Sequence, residues 1–510
     1  MADGVARASL AATDQRYFEN KAVPTKKQKD QNTHSNRGHI FKCANKMQQI
    51  GHGIGTVLFI GNITQDTVIT YQPVPEGSDD QKPSESLNKH SSIYEGYATV
   101  SKSLGGSVTF GCLAFQRYTS SLAEYHQSFG EQPFHPQIIS KIGKGDVARL
   151  IKFFQNGTLD DEESILSSNN LNDFSTHPQV VSPSMGYSSC FLTQPDQSMF
   201  KRLKNLSIFE NMLIEEHVER SKLTQYELCY PPFSSEGNHR TLKCINRGSI
   251  LNEEVKNITQ RILCGKSMPN IEAIFLVPVA AEFDHLFVEE LVSSLRKSMH
   301  NSWSPIICTD IQGYLRKIDE ESGQVLHNSF EYMQHVLKTL GRVVSIIKMD
   351  LEEAKKCLFS DYQCGNIEEY MTTPEYCAQQ IQLLYGFPIV TITMGAGGCI
   401  CSCLNSSNLN LSMYPATSDL PENTKAQLKY FPAYTPRRVQ DETGAGDTFL
   451  SCLIAELLIQ RRVSPEVTSD MVFHAVKMAS SSTSFRVEER GLNGFTTRHH
   501  AANRVLEQDL

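Results

Sequence analysis

The 510-residue sequence lacks any apolar run of the ~18–20 residues that a membrane-spanning helix needs. It also lacks a basic excess, because 48 Lys and Arg stand against 56 Asp and Glu, which argues against nucleic acid as a partner. Its fourteen cysteines include no C-x-x-C pair, and its first thirty residues hold no apolar segment of the kind found in secretory signals. These absences predict a cytoplasmic protein with reduced thiols and no membrane partner.

The regular part of the sequence forms one long region with less regular segments around it. Residues 1–54 are polar and show no hydrophobic periodicity, so they are predicted to be a disordered polar tail. The main region spans residues 55–500. A stretch rich in Ser, Asn, Gln and Asp at about 118–235 predicts an insertion within it. Residues 501–510 are predicted to be a C-terminal tail.

The main region alternates between short apolar runs and amphipathic segments. Thr56–Ile60 and Ile274–Val279 are apolar runs of the length of buried strands. Val288–Met299 places apolar residues at i, i+3, i+4 and i+7, which predicts a helix. The alternation continues through the apolar run Ile389–Thr393. Strands that alternate with helices predict an α/β fold whose parallel sheet is covered on both faces.

The strongest functional signal is the string DETGAGDTF at 441–449. Gly444, Ala445 and Gly446 directly precede an apolar helix, and glycines let successive N–H groups point at one spot. The helix start adds unpaired N–H donors and partial positive charge, so the segment predicts an anion hole for a phosphate in transfer. Asp447 follows in the first turn, where its carboxylate can take the proton of an attacking hydroxyl. The alternative is a tight loop with Asp447 as an ordinary N-cap.

This string resembles the D-T-x-G-A-G-D signature of the PfkB/ribokinase family of carbohydrate kinases, with Glu442 where many members have Thr. Further pieces similar to family motifs follow in family order. They are G-x-x-x-x-D at Gly61–Asp66, the glycine pair Gly105 and Gly106, T-x-G-x-x-G at Thr393–Gly398, and a closing segment with Gly491 and Thr496–Arg498. The resemblance covers 55–115 and 236–500. It implies a ribokinase-like three-layer α/β/α sandwich with a mostly parallel sheet and a small β lid from strands around 67–100.

The resemblance also implies a role for each matching residue. Asp447 would be the general base, beside the anion hole of Gly444, Ala445 and Gly446. The residues implied for the nucleotide are Thr393, Gly395, Gly398 and Thr443. The residues implied for the substrate are Asn62, Asp66, Gly105 and Gly106. Without the resemblance, Asp66 also fits a turn residue, and Thr393, Gly395 and Gly398 also fit a turn between two strands.

Three pieces resemble the inositol 3-kinase-like branch of the family. They are P-V-x-x-E at Pro278–Glu282, D-x-Q-x-x-x-R at Asp310–Arg316 and K-x-x-x-E-E-A at Lys348–Ala354. One departure concerns the Asn that usually follows the glycine pair and contacts the sugar. Phe110 stands at that place, and an aromatic ring cannot copy two amide hydrogen bonds. The change indicates a different substrate as readily as lost activity.

A second departure concerns the N-x-x-E that organises magnesium in the family. This sequence has Asp350 and Glu353 at those places. Two carboxylates suit a water-coordinated Mg²⁺, a hard ion that prefers oxygen ligands. The alternative is a pair of solvated charges at a helix start, where they suit the helix dipole.

These features together predict a kinase that uses ATP and Mg²⁺ to phosphorylate a hydroxyl of a small polyol, a sugar or a cyclitol such as myo-inositol. Two alternatives stay open: a nucleoside kinase of the same family, and a catalytically degenerate protein of this fold that acts as a binding or regulatory module. The expected partner is the small-molecule polyol, without nucleic acid or membrane. A homodimer is compatible with the resemblance.

Overall fold

The structure of the chain is a computed structural model. It describes residues 54–73, 96–125, 133–156, 164–166, 212–215, 223–230, 241–264, 270–298, 305–360, 368–404, 409, 411 and 426–509. Residues 1–53 of the predicted tail lie outside the described residues, as do parts of the segment 118–235.

The helices and strands follow one another along most of the described ranges. The strands are β1 (Gly55–Ile60), β2 (Thr64–Pro73), β3 (Gly96–Gly105), β4 (Phe134–Ile139), β5 (Lys141–Gly143), β6 (Ser164–Leu166), β7 (Leu213–Glu215), β8 (Thr224–Tyr230), β9 (Thr241–Asn246), β10 (Ile271–Leu276), β11 (Ile306–Asp310), β12 (Arg316–Ile318), β13 (Val325–His327), β14 (Ile346–Asp350), β15 (Ile389–Thr393), β16 (Cys399–Leu404) and β17 (Ala426–Phe431). The helices are α1 (Ser107–Tyr125), α2 (Lys144–Asn156), α3 (Val255–Cys264), α4 (His285–Ser298), α5 (Gln312–Leu315), α6 (Phe330–Leu340), α7 (Leu351–Leu358), α8 (Pro374–Tyr385), α9 (Ala445–Val463), α10 (Ser469–Arg486) and α11 (Arg498–Gln508). Short 3₁₀ turns occupy Asn252–Glu254, Glu369–Thr372 and Gly395–Gly397.

A mostly parallel sheet forms the centre of the fold. Its described strands have the order β17-β16-β15-β14-β11-β10-β1-β4, parallel from β15 to β4, with β16 antiparallel to both of its neighbours. The inner strands are apolar runs without alternation because both of their faces are buried. Helices α1, α9, α10 and α11 pack together on one face, and α3, α4, α6, α7 and α8 cover the other. The predicted three-layer α/β/α architecture is confirmed.

A smaller sheet, called the lid below, has the strand order β6-β3-β2-β8-β9. Strands β2 and β3 correspond to the predicted lid strands, although β2 begins earlier, at Thr64, and β3 extends to Gly105. Strands β8 and β9 complete the sheet. Tyr226 of β8 packs with Val279 and Ala280, which follow β10 in the core. This small apolar cluster fixes the lid against the end of the central sheet.

Parts of the predicted insertion at 118–235 contribute to both sheets. Strand β4 pairs in parallel with β1, from Gly55 opposite Phe134 to Ile60 opposite Ile139, and lies at the edge of the central sheet. Strand β8 lies in the lid. Strand β4 was not predicted because polar residues interrupt the apolar run in its sequence, FHPQII. One of them, Gln137, is nevertheless fully buried. The segment 118–235 therefore contains elements of the fold's core, which corrects its description as an insertion.

The predicted C-terminal tail, 501–510, is instead helical over most of its length. Thr497 caps helix α11 with its side chain, and Ala501 and Val505 are buried where the helix packs on α10. These two residues lie one turn apart, so they share one face of the helix. The stripe is short and polar residues surround it, which is why hydrophobic periodicity does not reveal it.

No helix in the described ranges has the length and apolar composition needed to cross a membrane. The cysteines within those ranges are free thiols, and most of them are buried. Burial raises the pKa of the Cys308 and Cys401 thiols, as expected for packing groups that stay protonated.

Candidate functional site

A cavity of about 250 Å³ lies between the lid and the carboxyl ends of the central strands. This is the edge at which open α/β sheets bind ligands. Its lining residues come from the lid, from the start of α1, from the ends of β11, β14 and β15, and from the loop before α9. They are Thr64, Asp66, Gly106, Ser107, Phe110, Tyr226, Leu228, Leu242, Val279, Asp310, Gln312, Arg316, Lys348, Asp350, Thr393, Glu442, Thr443, Gly444, Gly446 and Asp447.

The cavity collects some of the sequence-predicted site residues and not others. Those that line it are Asp66, Gly106, Asp350, Thr393, Thr443, Gly444, Gly446 and Asp447. Those that do not line it are Asn62, Gly105, Glu353, Gly395, Gly398 and Ala445.

Helix α9 begins directly at the edge of the cavity. Gly444 precedes it in the left-handed conformation (φ +77°), which only glycine adopts without strain. The Ala445 N–H donates to the Glu442 carbonyl oxygen at 3.1 Å, so it is not available to a ligand. The N–H groups of Gly446 and Asp447 have no hydrogen-bond partner among the described residues. Of the N–H groups predicted for the anion hole, that of Ala445 is therefore already paired, and the first turn of α9 adds the unpaired N–H of Asp447.

Gly444 packs against the ring of Phe110, the residue that replaces the expected Asn. A Cβ atom at Gly444 would lie 2.3 Å from the Phe110 Cδ1 atom. Phe110 is almost fully buried. It packs against the loop that precedes α9 and also lines the cavity. The aromatic residue thus has a packing role that an Asn could not fill.

Replacing Gly444 by Ala is expected to lower the free energy of unfolding by more than the cost of placing an alanine in the left-handed backbone conformation. Gly491 also has a positive φ (+60°), but no atom lies near the place of its Cβ. G491A should therefore cost about 1–2 kcal/mol, and G444A should cost a further 1–3 kcal/mol or so from overpacking against Phe110. Urea unfolding of both variants measures the difference. Equal losses would show that Phe110 does not press on the loop.

Lys348 and Asp310 form a buried ion pair at the floor of the cavity. They are registered partners at the ends of the adjacent parallel strands β14 and β11, and Nζ lies 2.7 Å from Oδ2. Burial alone would lower the pKa of Lys348, but the charges of Asp310 and Glu353 outweigh it, so the pKa is raised. A Cβ atom on Gly446 would lie 2.5 Å from the Lys348 Nζ atom. The glycine therefore lets a permanent ammonium group approach the start of α9.

Asp447 lies in the first turn of α9, on the cavity side. Burial raises the pKa of its carboxyl group, and the nearby charge of Asp310 raises it further, against the lowering effects of Ser107 and Lys348. The carboxylate is thus less acidic than an ordinary Asp, which the helix dipole alone would not predict. A carboxylate with a raised pKa is a better proton acceptor at neutral pH.

Asp66 lies on lid strand β2 and faces the cavity, where its Oδ1 accepts a hydrogen bond from the Thr64 hydroxyl at 2.9 Å. A Cβ atom on Gly105 would lie 2.2 Å from Asp66 Oδ2, so Gly105 provides space for this carboxylate rather than lining the cavity. Gly106 turns the chain into α1 with φ +88°.

Asn62 is placed differently from its predicted role. Its amide Nδ2 donates to Thr224 Oγ1 at 3.2 Å and to the Ser249 carbonyl at 2.8 Å, which ties together segments that enter and leave the lid. Its backbone N–H donates to the buried carboxylate of Glu282 at 2.7 Å. Asn62 therefore joins the lid to the core.

Asp350 and Glu353 form a capping box at the start of α7. Asp350 Oδ1 accepts from the Glu353 N–H, and Glu353 Oε2 accepts from the Asp350 N–H, both at 2.7 Å. Burial raises the pKa of Glu353, and the charge of Asp310 adds to this. Each carboxylate retains a second oxygen outside the box. Among the described residues, no group of three or more His, Cys, Asp or Glu could hold a metal ion by itself.

Three of the predicted nucleotide residues lie at or just after the end of strand β15, whereas the fourth, Thr443, lies in the loop before α9. Thr393 lines the cavity, whereas Gly395 belongs to an exposed 3₁₀ turn that leads into β16. Gly398 has φ +84°, and a Cβ there would lie 2.1 Å from the Phe431 carbonyl oxygen. Gly398 thus serves the turn between two strands, beside the cavity rather than in it.

Lys348, Asp310 and Arg316 are among the cavity residues that were not predicted as site residues from the sequence. Asp310 is the last residue of β11, and Lys348 lies two residues before the end of β14; both strands are mostly apolar. A charged residue in such a strand is the sequence signal that could have indicated a functional role. The Arg316 guanidinium lies 5.6 Å from the centroid of the Tyr226 ring, and both side chains donate to the Val279 carbonyl oxygen.

Neither a protein-family model nor a curated protein matches the sequence. Solved structures do match the fold. Ribokinase from Giardia lamblia is 11% identical, with a TM-score of 0.50 over 89% of this chain and 100% of that one. A pyrophosphate-dependent kinase in the ribokinase family, complexed with a pyrophosphate analog and myo-inositol, is 14% identical, with a TM-score of 0.44 over 88% of this chain and 99% of that one. A nucleoside kinase from Methanocaldococcus jannaschii is 13% identical, with a TM-score of 0.44 over 90% and 100%. The likeness to the Giardia structure confirms the ribokinase-like fold that the motifs imply.

Proposed function

We propose that this chain is a kinase that transfers the γ-phosphoryl group of ATP to a hydroxyl of a small polyol. One observation carries the proposal. A carboxylate with a raised pKa, Asp447, and a buried ammonium group, Lys348, line the same cavity at a helix N-terminus. This pairs a proton acceptor with a cation for a transferring phosphoryl group, which is what phosphoryl transfer requires.

The chemistry begins at the acceptor hydroxyl. Asp447 takes its proton as the oxygen attacks the γ-phosphorus, while the bond from that phosphorus to the bridging oxygen breaks and ADP leaves. The proton remains on the carboxyl group until the product leaves. The N–H groups of Gly446 and Asp447 bind an oxygen of the phosphoryl group, and Lys348 supplies positive charge beside Gly446. Each of these donors is fixed by the fold before the reaction, so none has to reorganise.

Asp350 and Glu353 are the residues that would hold Mg²⁺. Each carboxylate has one oxygen that takes no part in the capping box. Two such oxygens suit Mg²⁺, which usually completes its coordination with water and phosphate oxygens. The bound ion would neutralise charge on the phosphates. The proposed donor is ATP, with Thr393 and Thr443 beside the phosphates and the turn at Gly395 and Gly398 next to them.

The acceptor side of the cavity has both polar and apolar walls. Asp66 and Arg316 offer hydrogen bonds to hydroxyl groups, and Leu228, Leu242 and Val279 provide an apolar surface. A compact polyol has hydroxyl groups around its rim and C–H groups on its face, so it can satisfy both kinds of wall. This favours a cyclitol or sugar. The lid residues would also exclude water, which otherwise competes as the acceptor.

The test is ADP release from the purified chain with Mg-ATP and a panel of acceptors: myo-inositol, ribose, fructose, fructose 6-phosphate and adenosine. We expect turnover with one of the free polyols. Turnover with adenosine alone would instead identify a nucleoside kinase. Measurable ATP binding without turnover of any acceptor would favour a binding or regulatory protein.

A further inference from the structure

Arg486, the last residue of α10, is fully buried, and its side chain is the largest of the fully buried ones that the structure describes. A buried guanidinium is costly unless it is paired and hydrogen-bonded. Nη2 lies 3.2 Å from Asp441 Oδ2, and Nη1 donates to the Glu489 carbonyl oxygen at 2.6 Å. The catalytic scheme above does not use this cation, although its partner Asp441 begins the loop that precedes α9.

The first connection from Arg486 to this loop runs through Asp441. Asp441 Oδ1 accepts from the Thr443 N–H at 2.9 Å, and its Oδ2 accepts from the Gly491 N–H at 3.1 Å as well as from Arg486. Thr443 directly precedes Gly444. The carboxylate therefore ties the loop both to α10 and to the segment after it, and the guanidinium neutralises the charge of this partly buried carboxylate.

The second connection runs through Phe110. The guanidinium carbon of Arg486 lies 5.1 Å from the centroid of the Phe110 ring, within the range of a cation–π interaction. The same ring is the surface on which Gly444 packs. Arg486 thus acts on the loop from two sides, by an ion pair at its start and by the aromatic ring that supports Gly444.

We propose that Arg486 is a positioning residue that holds the loop 441–446 in the conformation in which Gly446 and Asp447 face the cavity. The effect of Arg486 on phosphoryl transfer rests on the proposed function, whereas its stabilisation of the loop does not. The guanidinium contacts neither the proposed acceptor nor the phosphate, because it lies behind Phe110 and Asp441 and does not line the cavity. Its effect on the reaction is therefore indirect.

The first test measures hydrogen–deuterium exchange in the ligand-free protein, so it does not depend on any activity. In the parent chain, local opening of this loop must break the ion pair between Arg486 and Asp441. R486Q removes that cost, so amide exchange across 441–448 should become faster by about tenfold or more. The matched control is R504Q. Arg504 is also nearly fully buried and lies over an aromatic ring, that of Phe485, but it pairs with Glu488 at 2.8 Å. R504Q should leave exchange across 441–448 unchanged.

The second test measures steady-state kinetics with the acceptor that the panel identifies. In R486Q, kcat should fall by about 10²-fold, the effect of a small misplacement of reacting groups, while the acceptor KM changes by less than about threefold. R486K keeps the charge but not the planar fork, so its kcat should lie between those of R486Q and the parent chain. An equal loss of kcat in R504Q would show a general effect of lost stability and overturn the proposal.

Unchanged exchange across 441–448 in R486Q would also overturn the proposal, whatever the kinetics. If R486Q does not fold, D441N tests the same ion pair from its other side and should speed exchange in the same segment. Slow exchange in D441N would contradict the proposed hold on the loop. If the parent chain turned over no acceptor, the exchange result would still decide the role of Arg486, while the proposed function alone would fail.

Discussion

Replacing Asp447 by Asn is expected to lower kcat by at least ~10²-fold, the range for loss of a general base. Asn has nearly the same shape, so it preserves packing at the start of α9, but it cannot accept the proton. Burial raises the pKa of Asp447 in the parent chain. Its kcat/KM should therefore fall as the pH drops through a pKa that lies above the ordinary value of an Asp, since the base must be deprotonated. This acid limb should be absent from the residual activity of D447N.

Asp470 offers a matched control for this experiment. It also lies in the first turn of a helix, α10, but it is exposed and does not line the cavity. D470N should keep kcat within about twofold of the parent value, as surface changes away from a site usually do. Parental turnover by D447N would show that Asp447 is not the base, and the assignment would have to be withdrawn.

Replacing Lys348 by Met should lower the free energy of unfolding by about 3–5 kcal/mol, because it leaves the Asp310 carboxylate buried without its partner. The same change removes the cation beside Gly446, so turnover should be lost as well. The double variant K348M/D310N separates the two effects. It removes both charges of the pair, so much of the stability should return, while the activity should not.

Urea unfolding and ADP release measure these two quantities on the same samples. Lys355 provides the comparison, since it forms an ion pair with Glu352, whose side chain is 57% exposed. K355M should cost less than about 1 kcal/mol, as exposed pairs do. A loss of similar size in K348M would mean that the pair at the floor of the cavity does not stabilise the fold. Activity in the double variant would remove Lys348 from the proposed mechanism.

Local sequence signals were sufficient for much of the architecture. The apolar runs at Thr56–Ile60 and Ile389–Thr393 match strands β1 and β15, and the spacing over Val288–Met299 matches most of helix α4. Periodicity works there because each element buries a continuous apolar face. It fails at β4, where the buried Gln137 interrupts the run, and at α11, where the apolar stripe is short.

The string DETGAGDTF correctly indicated the start of a helix at a cavity, but it could not indicate which N–H groups remain unpaired. That depends on the bond from the Ala445 N–H to Glu442, which is set by the backbone conformation at Gly444. The pairing of Lys348 with Asp310 depends on the parallel register of two strands whose residues are 38 apart in sequence. Such contacts follow from the fold and not from local pattern. The roles of the predicted site residues stay predictions until the variants are measured.

The position of β1 in the central sheet has a consequence for how the chain folds. Its neighbour β10 pairs Leu276 with Ile60, so the hydrogen bonds on that side of β1 join segments that lie roughly two hundred residues apart. During synthesis at ~5–20 residues per second, β1 must wait about 10–40 s for that partner to be made. An apolar strand with an unpaired edge is open to wrong association in that interval. The nascent chain is therefore expected to depend on chaperones until β10 has been made.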